Sequence, residues 1–254
     1  HTTLFRSGIA NIAAIMREIV SICEERGAAP FIFPAMGSHG GATAQGQIDI
    51  LKSLGITEAN CGCPIRATME TRHLGYTEAG DAVQIDKYAA EADGFIIVNR
   101  IKPHTAFRGP YESGLMKMLA IGCGKQRGAD SCHVNGFKYM HRLVPSIGTA
   151  IMKNSNLLFG LGIIENAYDE TAALYALTPD EIISEEPELL IKARELMGKL
   201  LFDETDLLVV DRIGKNISGE GADPNITGQQ VTPYASGGIK YQRLIALSLT
   251  EETH

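Results

Sequence analysis

The sequence has no surplus of basic residues. It carries 23 lysines and arginines against 30 aspartates and glutamates, which gives a net charge of −7. Binding to nucleic acid requires an excess of cations that neutralises phosphates, so we expect no nucleic-acid partner. The basic residues are nevertheless concentrated in one part of the chain, at Arg100, Lys102, Arg108, Lys117, Lys125 and Arg127.

Long apolar runs and regularly spaced cysteines are also missing. No apolar run approaches the roughly 20 residues that a membrane-spanning helix needs, so we expect no membrane partner. The five cysteines are an odd number at irregular intervals, which disfavours a disulfide framework. A reducing compartment, and therefore a cytoplasmic location, is the prediction that follows.

Strand-like and helix-like segments alternate along the 254 residues, and this alternation predicts an α/β fold. We predict a Rossmann-like N-terminal domain with a mostly parallel sheet over residues 1–176, in which 30–36 forms a buried strand. A helical connector is predicted over residues 177–203, with a break near Pro187, because proline removes a helical hydrogen bond. Residues 204–254 are predicted to begin a second α/β domain, which we expect to be truncated.

The stretch from Val98 to His133 contains most of the residues that are capable of chemistry. Arg100, Lys102 and His104 follow directly after a predicted strand. In a parallel α/β sheet, ligands bind in the crevice at the carboxyl ends of the strands. Lys117 lies among leucines and methionines, so it is either a surface lysine with a buried stem or a buried amine used in chemistry.

A glycine-rich turn follows the predicted strand 30–36 and contains Gly37, Ser38, His39 and Gly40. A strand, a glycine-rich turn and a helix together present backbone N–H groups to an anion. The glycine spacing is not that of the dinucleotide-binding fingerprint. A tight turn with an exposed histidine is the alternative interpretation.

Three histidines and one lysine therefore stand out: His39, His104, Lys117 and His133. Three histidines are able to bind zinc, and a zinc-dependent hydrolase that uses them is one possible function. A non-catalytic protein that binds a nucleotide or a hydroxy acid is another. Zinc alone leaves Lys117 without a role.

The sequence resembles the nickel-pincer lactate racemase family in Gly37-Ser38-His39, in Pro103-His104, in Ser113-Gly114-Leu115-Met116-Lys117 and in the sixteen-residue interval from Lys117 to His133. This resemblance covers most of the chain and implies an isomerase, namely a racemase or epimerase of 2-hydroxy acids. It also implies a nickel-pincer nucleotide as cofactor, which recombinant protein need not carry. The interval between His104 and Lys117 is three residues longer than in the family, and Gln229 and Gln230 are out of register with the family's lactate contacts, so the identity of the hydroxy acid stays open. The sequence does not indicate the oligomeric state.

The resemblance implies a role for each of the four residues. Lys117 is expected to hold the cofactor as a thioamide, His133 to coordinate nickel, and His39 and His104 to act as alternate bases. A base for either enantiomer needs a pKa near neutrality, which is the range of histidine. Further expected contacts are Gly37, Ser38, Gly40, Arg100 and Lys102 to the cofactor, and Arg6, Lys215, Asp223 and Asn225 to the substrate.

Overall fold

Helices and strands alternate along residues 8–253, the part of the chain that the computed structural model describes. The predicted α/β class is therefore confirmed. No helix within these residues is long and apolar enough to cross a membrane. The α-helices are α1 (Ile12–Glu25), α2 (Ala44–Ser53), α3 (Glu58–Cys61), α4 (Lys87–Glu91), α5 (Leu115–Lys117), α6 (Lys125–His133), α7 (Met140–Asn154), α8 (Pro179–Leu196) and α9 (Pro224–Thr227).

The strands of residues 8–253 form three small sheets, two of which contain a parallel pair. The central sheet has the order β3-β4-β5, with β3 parallel to β4 and β4 antiparallel to β5. An antiparallel pair joins β1 to β2, and a parallel pair joins β6 to β7. The strands are β1 (Thr71–Tyr76), β2 (Ala82–Asp86), β3 (Phe95–Arg100), β4 (Leu157–Glu165), β5 (Thr171–Leu177), β6 (Glu204–Ile213) and β7 (Lys240–Leu249).

The prediction of a buried strand over residues 30–36 is wrong. This segment makes a single parallel bridge, between Ile32 and Ile65, and no longer ladder within the described residues. Pro30 and Pro34 have no N–H group to donate to a neighbouring strand. The segment is extended nonetheless, and it leads directly into the turn that begins at Gly37.

The predicted break at Pro187 is also wrong, because α8 continues through this residue. Proline cannot donate to the carbonyl of Ile183, four residues earlier. The hydroxyl of Tyr111 donates a hydrogen bond to that carbonyl at 2.6 Å. A side chain from another segment therefore replaces the missing helical hydrogen bond.

The largest hydrophobic cluster surrounds the helical segment that contains Lys117. This segment comprises α5, the π-helix Met118–Cys123 and α6. Leu115, Met116 and Leu119 have no exposed surface, and they pack in one core with apolar residues of β3, α7 and α8. The core thereby holds both flanks of Lys117 in place.

Candidate active site

The structure brings the three predicted histidines and two predicted lysines into one cluster. The charges of Lys117, Lys102 and His133 all act on His104, and the charge of Lys117 acts on His39 as well. These five residues come from four separate segments of the chain. We call them the histidine–lysine cluster.

His104 lies just beyond β3 and is held as a neutral imidazole. Burial, followed by the positive charge of Lys117 and other nearby cations, lowers the pKa of His104 to about 2. Its Nδ1 accepts a hydrogen bond from the backbone N–H of Ala106 at 3.0 Å. The proton of the neutral ring therefore lies on Nε2, and the imidazole packs against Phe107 with ring centroids 4.4 Å apart.

Lys117 and Lys102 are mostly buried amines. Burial is the main reason why the pKa of each is lowered to about 8; Lys102 adds to the effect on Lys117, and Arg100 adds to the effect on Lys102. Neither amine has a hydrogen bond or ion pair to any residue within 8–253. Buried charges are normally paired, so this arrangement suits an anionic ligand or covalent use of an amine.

His133 ends α6, and its ring is fixed by one hydrogen bond. Nδ1 donates to the carbonyl oxygen of Ala129 at 2.7 Å, because a carbonyl can only accept. This hydrogen bond leaves Nε2 as the ring nitrogen that faces away from the backbone carbonyl, which is the usual arrangement for a histidine that binds a metal. Phe137 lies between the two histidines, with its centroid 6.0 Å from the ring of His133 and 6.2 Å from that of His104.

The glycines of the His39 turn are required by close packing. Gly37 has a φ of 58°, and its N–H donates to the carbonyl of Gly122 at 3.0 Å. A Cβ atom on Gly40 would lie 2.5 Å from the backbone of Gly46. His39 and Ser38 remain exposed on this turn. Loss of part of its hydration, followed by the charge of Lys117, lowers the pKa of His39.

Arg100 is already committed to a protein carboxylate. Its guanidinium forms an ion pair with Glu165, which also accepts the backbone N–H of Ala10 at 2.7 Å. Of the two basic residues that were expected to contact a cofactor, Lys102 is thus the one that forms no ion pair within residues 8–253. Arg6 lies outside the described residues.

Two of the residues expected to contact substrate reach the cluster from the C-terminal part of the chain. The charge of Asp223 raises the pKa of Lys102 and so opposes its lowering. Asp223 accepts the backbone N–H of Asn225 at 2.8 Å, and Asn225 accepts a hydrogen bond from Arg108 at 2.6 Å. Lys215 is exposed, and no contact joins its side chain to the cluster among the residues with a described structure.

Glu112 supports the cluster, although no motif in the sequence indicates it. Its buried carboxylate accepts the backbone N–H of His104 at 2.8 Å and that of Gly109 at 3.1 Å. It also forms ion pairs with Arg108 and Arg194. Glu112 therefore fixes the loop that follows His104 to α8.

The zinc interpretation finds no site of the usual kind. Nowhere in residues 8–253 do three or more His, Cys, Asp or Glu side chains lie close enough to hold a metal ion. A structural zinc site takes four protein ligands and a catalytic site takes three. The described part of the histidine–lysine cluster therefore contains no such set of protein ligands.

Comparison with known proteins identifies a domain family and two solved structures. The family DUF362, a domain of unknown function, matches residues 9–214. The lactate racemase apoprotein from Thermoanaerobacterium thermosaccharolyticum has a TM-score of 0.57 at 17% identity, over 81% of this chain and 51% of that chain. A protein from Thermotoga maritima has a TM-score of 0.57 at 14% identity, over 80% of this chain and 56% of that one.

These similarities establish a shared fold. The chain spans about half of the length of both structures. No curated protein matches the sequence.

Proposed function

The chain belongs to the DUF362 family, and from this premise we propose that it is a racemase or epimerase of 2-hydroxy acids that uses a nickel-pincer nucleotide. The substrate is a small hydroxy carboxylic acid. The fold shared with a lactate racemase apoprotein supports this class of reaction.

One observation carries the proposal: two mostly buried amines, which make no hydrogen bond or ion pair within residues 8–253, lie beside two histidines whose pKa is lowered. The pKa of both Lys102 and Lys117 is lowered, and so is that of both His39 and His104. A carboxylate substrate compensates the charge of a buried ammonium. A neutral imidazole is able to accept the proton of a hydroxyl group. The cluster therefore offers a cation for the carboxylate and imidazoles for the hydroxyl proton.

The residues present also fit the cofactor. The neutral form of an amine is the form that makes an amide-type bond, and the lowered pKa of Lys117 makes this form accessible. His133 keeps Nε2 available for a metal. The nickel-pincer nucleotide, when bound, would supply the acceptor and donor for the α-hydride of the substrate.

The chain's own residues bind the acid and move its hydroxyl proton. Lys102 binds the carboxylate, and His39 and His104 serve opposite enantiomers. A thioamide at Lys117 carries no charge, so its formation removes one cause of the lowered pKa of both histidines. To accept a proton at Nε2, His104 must carry its own proton on Nδ1 and give up the hydrogen bond from Ala106.

The test is co-expression with the enzymes that synthesise the cofactor, followed by a screen of single enantiomers of 2-hydroxy acids. We expect one class of these acids to be racemised or epimerised. His39→Ala and His104→Ala should each abolish net inversion, because each enantiomer needs its own base. His73→Ala is the matched control, since His73 lies on the β1–β2 hairpin and bonds to Gln84. Nickel-loaded protein that inverts none of the acids contradicts the proposal.

A further inference from the structure

We propose that Lys125 and Gln47 are positioning residues that align the His39 turn with the segment of Lys117 and His133. The proposal rests on the proposed function for the role of His39 in the reaction. Its structural basis is a buried polar chain that connects these segments through the side chains of Asp86, Lys125 and Gln47, none of which is a predicted site residue.

Lys125 begins this chain. Its side chain has no exposed surface, and Nζ lies 2.9 Å from the carboxylate of Asp86, which is also fully buried. The same Nζ donates to the side-chain oxygen of Gln47 at 3.0 Å and to the carbonyl of Pro34. The ammonium therefore joins β2, α2 and the segment that leads into the His39 turn.

Gln47 continues the chain to the turn itself. It is fully buried, and its Nε2 donates to the carbonyl of Gly37 at 2.9 Å and to that of His39 at 3.4 Å. The N–H of Gly37 donates in turn to Gly122, in the π-helix that follows Lys117. The turn is thus held on one side by the side chain of Gln47 and on the other by the backbone next to Lys117.

The position of Lys125 in the chain gives it a second role. It is the first residue of α6, the helix that ends at His133. Its φ of 55° lies in the left-handed region, where a residue with a side chain is strained relative to glycine. Buried ion pairs add little net stability over apolar residues of the same volume. We infer that this lysine serves the alignment of the cluster and not merely the stability of the core.

The decisive variant is Gln47→Glu. A carboxylate of the same size still accepts from Lys125, but it cannot donate to the carbonyls of Gly37 and His39. Gln45→Glu is the matched control, because Gln45 lies on the same helix and is exposed. Within the described residues, its side chain hydrogen-bonds only to Asp49. If Gln47→Glu does not fold, the double variant Lys125→Met/Asp86→Asn removes both buried charges together and breaks the same chain.

Two readouts separate positioning from a general structural role. In cofactor-loaded protein, kcat of Gln47→Glu should fall roughly 10- to 100-fold, the scale of a 1 Å misplacement, with KM and nickel content unchanged. In protein without cofactor, the rate at which diethyl pyrocarbonate modifies His39, measured by peptide mass spectrometry, should change at least twofold. Gln45→Glu should match the wild type in both measurements.

Wild-type kcat together with wild-type reactivity of His39 in Gln47→Glu would overturn the positioning role. An equal fall in nickel content and kcat would also overturn it, because the variant would then act through cofactor retention. If the proposed function is wrong, the cofactor-loaded wild type will invert no hydroxy acid. The reactivity of His39 towards diethyl pyrocarbonate will still show whether Gln47 aligns the turn.

Discussion

Lys117 and Lys125 are two buried lysines, eight residues apart in one helical segment, with opposite surroundings. Lys125 contacts Asp86, Gln47 and the carbonyl of Pro34. Lys117 has no hydrogen bond or ion pair within the described part of the chain. The same side chain is a structural link in one environment and, in the proposed function, a reactive group in the other.

The difference shows how a functional amine is distinguished from a structural one. Placing an ammonium in the interior is unfavourable unless partners compensate its charge. Lys125 has such partners, whereas Lys117 has Lys102 nearby, whose charge lowers its pKa further. A buried residue that lowers the stability of the fold and makes no compensating contact is a candidate for a functional role. The two lysines should therefore respond in opposite directions to the same substitution.

The largest expected effect is on catalysis. Lys117→Arg should lose all racemase activity in cofactor-loaded preparations, because a guanidinium cannot form the thioamide. Lys153→Arg is the matched control, since Lys153 is exposed in the last turn of α7. Chiral chromatography of the products measures both variants, and inversion by Lys117→Arg at the wild-type rate would refute attachment at this residue.

The next effect concerns the paired lysine. Lys125→Met should lower the free energy of unfolding by about 3–5 kcal/mol, because it leaves the carboxylate of Asp86 buried without a counterion. The double variant Lys125→Met/Asp86→Asn should recover most of this loss. Urea unfolding at pH 7 measures both. A single variant as stable as the wild type would remove the contrast between the two lysines.

Substitution of the unpaired lysine should have the opposite sign. Lys117→Met should raise the free energy of unfolding at pH 7 by roughly 3–4 kcal/mol, since one pKa unit corresponds to about 1.4 kcal/mol. The pKa of Lys117 in the folded protein, about 8, is below its ordinary value of 10.5. The unfolded chain therefore binds more protons between these values, and the stability of the wild type rises with pH over this range.

This pH dependence supplies a further check on Lys117→Met. The advantage of the variant should be complete below about pH 8 and should shrink as the pH approaches 10.5. Urea unfolding at pH 7 and at pH 10 measures it. If the difference in free energy of unfolding between Lys117→Met and the wild type does not change with pH, burial of the Lys117 ammonium is not the cause of that difference.

The smallest effect is on the histidines. Lys117→Met should raise the pKa of His104 and His39, because the charge of Lys117 is the second cause of lowering at both. Burial is the first cause, so both pKa values should stay below the ordinary 6.5. NMR titration of the imidazole resonances measures the change. Unaltered titration of both rings would place Lys117 outside the cluster.

The sequence predicted the positions that follow strands and turns more reliably than it predicted long-range pairs. His104 follows β3, and local order alone places it at the carboxyl end of a strand. The pairing of Arg100 with Glu165 joins residues 65 positions apart, and no local pattern indicates it. The same holds for Glu112, which contacts Arg194 from 82 positions away.

Local rules failed where a distant group altered their outcome. Proline usually breaks a helix, but at Pro187 the hydroxyl of Tyr111 donates a hydrogen bond to the carbonyl that the proline leaves without a donor. The sequence likewise does not indicate the ion pair between Lys125 and Asp86, because the polar residues that follow Lys125 suggest a surface lysine. These features depend on the tertiary fold and not on the spacing of residues.

The most direct test of the contrast between the lysines is peptide mass spectrometry of protein co-expressed with the cofactor-synthesis enzymes. We predict an added mass on Lys117, loss of tryptic cleavage after this residue, and no added mass on Lys125. Lys117→Arg should lack the modified peptide. Protein that binds nickel and inverts a 2-hydroxy acid while its Lys117 peptide remains unmodified would contradict covalent attachment at Lys117.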